Sequence, residues 1–138
     1  MKILILNGPN LNLQGQRDVN INGGKSFDEL LAELHSEFSD VEIEYLQSNI
    51  EGELIDALHS AQGRVDGVIL NGGGYTHTSV ALRDAVSAIS TPVVEVHISN
   101  IAAREEFRHT SLLTSVCRGA ILGFGLESYR LALISLLR

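Results

Sequence analysis

Hydrophobic and polar positions along this chain switch between two periods. Short, mainly apolar runs occur at Lys2-Ile-Leu-Ile-Leu6, Gly67-Val-Ile-Leu70 and Val93-Val-Glu-Val-His97, with a fourth candidate at Ala120-Ile-Leu122. Runs of this length read as strands covered on both faces. Val41-Glu-Ile-Glu-Tyr-Leu46 alternates instead, as a half-exposed edge strand does. Ser26-Phe-Asp-Glu29 has the capping-box pattern, and Phe27, Leu30, Leu31, Leu34 and Phe38 follow at helical spacing. Residues 50–62 repeat that spacing with Leu54, Ile55 and Leu58 on one face. Ser79 predicts the cap of a third helix, with inner face Val80, Leu82, Ala85, Val86 and Ile89, and residues 126–137 close the chain as a fourth.

Strands that alternate with helices imply a parallel sheet with helices on both faces, a three-layer α/β domain. Five strands within 138 residues favour the flavodoxin-like order 2-1-3-4-5. The length fits one domain spanning residues 1–138, and a chain near this size buries roughly 70% of its unfolded surface.

Charge and composition narrow the function. Seventeen acidic against ten basic side chains give a net charge of −7, which disfavours nucleic acid and acidic membrane surfaces. A single cysteine, Cys117, excludes a disulfide framework and reads as a packing residue. No apolar run approaches the length of a membrane span, and the four apolar residues after Met1-Lys2 are too few for a signal peptide. The expectation is a cytoplasmic protein.

In parallel sheets of this order, ligands bind beyond the carboxyl ends of the strands, where the chain order reverses. After the first strand come Asn7, Asn10 and Asn12, with Arg17 further along the loop; after the third come Asn71, three glycines, Tyr75 and His77. The fourth ends at Glu95, His97, Ser99 and Asn100, followed by Arg104 and Arg108. Neutral donors, histidines and arginines together suit an oxygen-rich ligand carrying a carboxylate. His97 closes a buried run, where a titratable ring is costly without a partner. Glu95 lies two residues back on the same face and is placed to orient it. His35 and His59 read as surface residues of helices, and Glu105 and Glu106 as solvated charges. His77 and His97 lack a third residue at metal-ligand spacing, and no metal is expected.

Competing uses of this fold fit poorly. A phosphoacceptor domain needs acidic residues where Asn7 and Asn71 stand. A flavodoxin needs a phosphate loop and aromatics around the flavin, yet the loop is Asn-Gly-Pro-Asn and tryptophan is absent. Neither dinucleotide nor nucleoside-triphosphate glycine loops occur.

Four longer motifs carry a resemblance: Asn7-Gly-Pro-Asn-Leu-Asn-Leu13, Gln47-Ser-Asn-Ile-Glu-Gly-Glu-Leu54, Gly74-Tyr-Thr-His-Thr-Ser-Val-Ala-Leu-Arg-Asp84 and Glu95-Val-His-Ile-Ser-Asn-Ile-Ala-Ala-Arg-Glu-Glu-Phe-Arg-His109. Together they closely resemble type II 3-dehydroquinate dehydratase, in register from Met1 to the last helix. The resemblance implies a lyase of the shikimate pathway, in aromatic amino acid biosynthesis, that dehydrates 3-dehydroquinate to 3-dehydroshikimate without metal or cofactor. It implies trimers assembled into a homododecamer. In that family a tyrosinate removes the proton beside the ketone, and an enolate forms, stabilised through water held at the position of Asn10. A histidine matching His97, backed by Glu95, protonates the departing hydroxyl, and Arg17 matches the loop arginine that stabilises the transition state. Substrate contacts match Asn71, His77, Ile98, Ser99 and Arg108, with Asp84 reaching a neighbouring subunit's site. Arg104 matches a second loop arginine, and Gly74 opens one of the motifs.

One position departs from the family. Its lid usually reads Arg-Glu-Pro-x-x-Tyr-Gly, whereas this chain reads Arg17-Asp-Val-Asn-Ile-Asn-Gly23, placing Asn22 where the tyrosine base belongs. An amide is no base near neutral pH. Tyr75 is not expected to replace it. Two accounts stand: an engineered substitution in an otherwise intact enzyme, preferred because the other positions match, or a natural residue that leaves a weak enzyme or a protein binding a quinate-like acid. Only two residues, Lys2 and Lys25, are lysines, and neither is placed for the Schiff-base route of the other dehydroquinase class.

Overall fold

A computed structural model of the chain describes residues 1–13 and 25–138. Five strands form one parallel sheet: β1 (Lys2–Asn7), β2 (Glu42–Gln47), β3 (Gly67–Asn71), β4 (Val93–His97) and β5 (Gly119–Leu122). Their order is β2-β1-β3-β4-β5, all neighbours parallel. Four α-helices occur among the described residues: α1 (Phe27–Glu37), α2 (Glu51–Ala61), α3 (Val80–Ala88) and α4 (Glu127–Leu136). None is long and apolar enough to cross a membrane.

The alternation of side chains along a strand divides the core in two. Ile3 and Ile5 of β1 pack with Phe27, Leu30 and Leu34 of α1 and with Tyr129, Ala132 and Leu133 of α4. Leu4 and Leu6 point the other way, into Leu54 and Leu58 of α2 and Leu82 and Val86 of α3. The central strands are therefore apolar on both faces, and their sequences show runs rather than alternation. Leu54 and Leu58 are completely buried; truncating such a side chain to alanine costs about 2–5 kcal/mol.

The caps form as the sequence predicts. Ser26 Oγ accepts the Glu29 N–H at 3.1 Å, and Ser79 Oγ accepts the Leu82 N–H at 2.8 Å. One position departs: Val80, expected on the inner face of α3, is 60% exposed. At about 100° per residue, Leu82, Ala85, Val86 and Ile89 share one arc, and Val80 lies roughly half a turn from its centre. Val80 shares their apolar character but not their spacing, and at the first helical position its side chain faces outward.

The sheet order places β1, β3 and β4 side by side, so the segments leaving their carboxyl ends meet. Two glycine-dependent turns bring them close. A Cβ on Gly8 would stand 2.6 Å from the Gly72 carbonyl oxygen, and Gly73 adopts φ +58° beside Pro9.

Candidate active site

A cleft of about 580 Å³ opens at the carboxyl end of the sheet, within the range of small-molecule sites. Among the residues predicted from sequence, Asn10, Asn71, Gly74, His77, His97, Ile98, Ser99, Arg104 and Arg108 all line it. Glu95 sits behind His97. Asp84 is exposed on α3 and does not line the cleft of its own chain. Arg17 and Asn22 lie outside the described residues.

His97 is 5% exposed, and its Nε2–H donates to Glu95 Oε2 at 2.5 Å. Glu95 is entirely buried. It also accepts from Ser111 Oγ, at 2.7 Å to Oε2, and from the Thr114 hydroxyl at Oε1. Burial disfavours the charged carboxylate, but the bonds from His97, Thr114 and Ser111 outweigh it and hold the Glu95 carboxyl below its usual range. Cys117 packs near this group as a partly buried residue, and burial together with the Glu95 charge pushes its thiol up to about 12. It is inert packing, as its sequence context implies.

His77 stands opposite, its ring centroid 6.4 Å from that of His97. Its Nδ1 lies 2.8 Å from the Thr110 carbonyl oxygen. A carbonyl only accepts, so Nδ1 carries the proton and Nε2 is left without one in the neutral ring.

The arginines form the other wall. Arg104 Nη1 donates to Ser99 Oγ at 3.5 Å, and Arg108 Nε lies 3.3 Å from Glu105 Oε1. Glu105 is exposed, as expected of a solvated charge at a helix start, and approaches both guanidiniums, with 3.7 Å to Arg104 Nε. It stands at the start of a single 3-10 turn, Glu106–Arg108, where side chains three apart share a face. Neither lysine reaches the cleft: Lys2 pairs with Glu44 at 3.2 Å and Lys25 with Glu33 at 2.8 Å.

Asn10 has φ +69°, a conformation asparagine tolerates, and its N–H donates to Asn49 Oδ1 at 3.0 Å. Gln47 Nε2 ties the same loop down by donating to Gly8 O and Asn49 Oδ1, each at 3.1 Å. Tyr75 donates from its hydroxyl to the Asn49 carbonyl at 3.2 Å and does not line the cleft, in keeping with the expectation that it is no replacement base. Asn71 is more constrained than the expected substrate contact: Nδ2 donates to Tyr129 Oη at 2.9 Å and Oδ1 accepts the Gly73 N–H at 3.1 Å.

Several residues that build the site escaped the sequence reading. Ser111 and Thr114 belong to no motif that the sequence singles out, and Tyr129 lies unremarked within the last helix. Asn49 and Gln47 figured only within a quoted motif. A hydroxyl meeting a strand-end carboxylate across 16 or 19 positions leaves no periodic trace.

A buried histidine–carboxylate pair at a strand end, a second histidine and two arginines around one cleft mark an α/β protein built for acid–base chemistry on an anionic small molecule. The family profile described as "Dehydroquinase class II" matches residues 1–137. A 3-dehydroquinate dehydratase of Exiguobacterium sp. is 59% identical over 138 residues, covering 99% of this chain and 94% of the relative. One from Campylobacter jejuni is 48% identical, covering 100% and 88%. The crystal structure of a type II dehydroquinase from Butyrivibrio crossotus superposes with TM-score 0.95 at 44% identity, covering 100% of this chain and 98% of the other. A 3-dehydroquinate dehydratase-like protein from Bifidobacterium longum is more distant, with TM-score 0.67 at 28% identity over 99% and 94%. The chain belongs to the class II dehydroquinase family.

Proposed function

We propose that this chain is built to dehydrate 3-dehydroquinate to 3-dehydroshikimate through an enolate, as a hydro-lyase of the shikimate pathway, with its turnover impaired by Asn22. The observation that carries this reading is the Glu95–His97 pair at the cleft, a proton donor held by a buried carboxylate. A base removes the proton from the carbon beside the ketone. The enolate then collapses, expelling the hydroxyl, and His97 supplies the proton with which it leaves as water. Glu95 balances the imidazolium before the transfer and orients the ring throughout.

Around that step, Asn10 holds water against the enolate oxygen and Arg17 offsets developing charge. Asn71, His77, the Ile98-Ser99 segment and Arg108 take the substrate's hydroxyls and carboxylate, with Arg104 and Gly74 at the rim. Asp84, exposed on α3, reaches the site of a neighbouring copy in a dodecamer assembled from trimers. No cofactor enters the reaction, and the paired lysines leave the Schiff-base route without a nucleophile. The protein is cytoplasmic and forms one domain over residues 1–138.

Asn22 stands where the base belongs, and loss of a positioned base costs about 10²–10⁴-fold. The test compares this chain with Asn22→Tyr by the rate of enone-carboxylate formation from 3-dehydroquinate. The restored chain gains orders of magnitude; an unchanged rate rejects the reading. Asn22 also supports one rival, a binding protein that holds a quinate-like carboxylic acid without converting it. Calorimetry separates the two: tight binding of quinate analogues with no turnover in either chain favours the rival.

A further inference from the structure

The strand-end carboxylate has more partners than orienting one histidine requires, and those beyond His97 come from a single short segment. Ser111 Oγ accepts the backbone N–H of Leu113 at 3.1 Å and of Thr114 at 3.2 Å. Its lone pairs are thereby occupied, and its proton is left to point at Glu95. The Thr114 hydroxyl takes the other carboxylate oxygen. With His97 the buried carboxylate has three donors, so neither oxygen turns freely. One residue before Ser111, the Thr110 carbonyl holds His77 Nδ1–H. The Leu112 N–H pins the segment to the turn after β3 by donating to the Thr76 carbonyl at 2.9 Å.

Resting on the proposed reaction, we infer that residues 110–114 are the positioning element for both histidines of the cleft. Ser111 and Thr114 fix Glu95 and, through it, His97 as its Nε2–H tautomer; the Thr110 carbonyl fixes His77 as its Nδ1–H tautomer. The two rings therefore offer different atoms to a ligand. His97 has Nδ1 remaining as the site where a proton is carried and released, and His77 has Nε2 remaining as an acceptor. Opposite tautomers give facing rings different tasks, one acid and one hydrogen-bond acceptor, without a difference in residue type.

Ser111 and Thr114 act through Glu95 and touch no reacting atom, so the test must read the histidine and not activity alone. The groups around His97 are Glu95 on its own strand, His77 from the turn after β3, and Arg104 and Arg108 in the same cleft; behind them, the two hydroxyls from the 110–114 segment bond Glu95, and Cys117 lies near it. Among these, the hydroxyls alone are removed by Ser111→Ala and Thr114→Val. Without them the buried carboxyl loses two of its three donors and protonates at higher pH.

Long-range ¹H–¹⁵N spectra of the full chain read tautomers without substrate. The parent is expected to show His97 as Nε2–H and His77 as Nδ1–H. The double variant is expected to show a mixture at His97 and an unchanged His77, whose partner is backbone. In the Asn22→Tyr chain, the same double substitution lowers kcat about 10- to 100-fold with KM nearly unchanged, and raises the acid limb of the kcat profile by about one pH unit. Thr114→Ser, which keeps the hydroxyl, retains parental behaviour, whereas Thr114→Val does not; that pair decides the matter if the double variant fails to fold. A parent in which His97 is not Nε2–H, or variants that keep both tautomer and acid limb, overturns the inference. If the Asn22→Tyr chain has no dehydratase activity, the proposed reaction fails while the spectra still decide the role of the segment.

Discussion

Two buried polar clusters stand side by side at the carboxyl ends of the central strands. At β1 and β3, Tyr129 Oη donates to Asn7 Oδ1 at 2.9 Å and accepts from Asn71 Nδ2 at 2.9 Å. Asn7 also donates to Tyr45 Oη at 3.4 Å, and Asn71 accepts from Gly73. This cluster is neutral and closed, and burial pushes the Tyr129 phenol up, well out of reach of titration. At β4, Glu95, His97, Ser111 and Thr114 form a cluster around an equally buried carboxylate, and it ends on a ring nitrogen in the cleft wall. Burial alone does not separate a structural polar network from a chemical one. The difference lies in whether the bonds close on themselves or leave a titratable atom facing the ligand.

Breaking the open cluster should cost activity, and the closed one stability. The largest effect is expected from His97→Ala in the Asn22→Tyr chain, a fall of about 10²–10⁴-fold in kcat measured by enone formation. Tyr129→Phe leaves two buried amide atoms without partners, so urea unfolding should show a loss of about 1–3 kcal/mol, with kcat altered less than by His97→Ala.

The clusters should also differ in pH. The folded-state Glu95 carboxyl titrates below its unfolded value, so its contribution to stability is complete above the unfolded value of about 4.3 and is lost as pH falls through the folded one. Glu95→Gln removes that dependence, whereas Tyr129→Phe leaves the acid slope of stability unchanged; parallel acid unfolding curves would test both. Asn49→Ala should be the mildest, about 0.5–1.5 kcal/mol for the bond to the Asn10 N–H, read by thermal unfolding.

The same contrast separates what the sequence discloses from what it conceals. Strand β4 is legible because Val93, Val94 and Val96 form a valine-rich run, in which Glu95 and His97 stand out at period two. The meeting of Asn10, Asn71, His77 and His97 follows from topology, since strand order alone brings their loops together. The closed cluster is concealed, because Tyr129 lies 122 positions from Asn7 and sits at a helix position with the same apolar period as its neighbours. Ser111 and Thr114 are hidden for a similar reason: hydroxyls in a loop ordinarily serve local turns, and only folding reveals the distant carboxylate they face. Glu105 is legible as a solvated charge, but its pairing with Arg108 is not, because the segment 106–108 makes one tight turn, too short to leave a helical period.

The most direct measurement is the initial rate of enone-carboxylate formation from 3-dehydroquinate by the parent chain, Asn22→Tyr, and Asn22→Tyr combined with His97→Ala. The account predicts a rise of about 10²–10⁴-fold on restoring the tyrosine, and loss of most of it when His97 is removed. Equal rates for the parent and Asn22→Tyr, or a gain that survives His97→Ala, would contradict it.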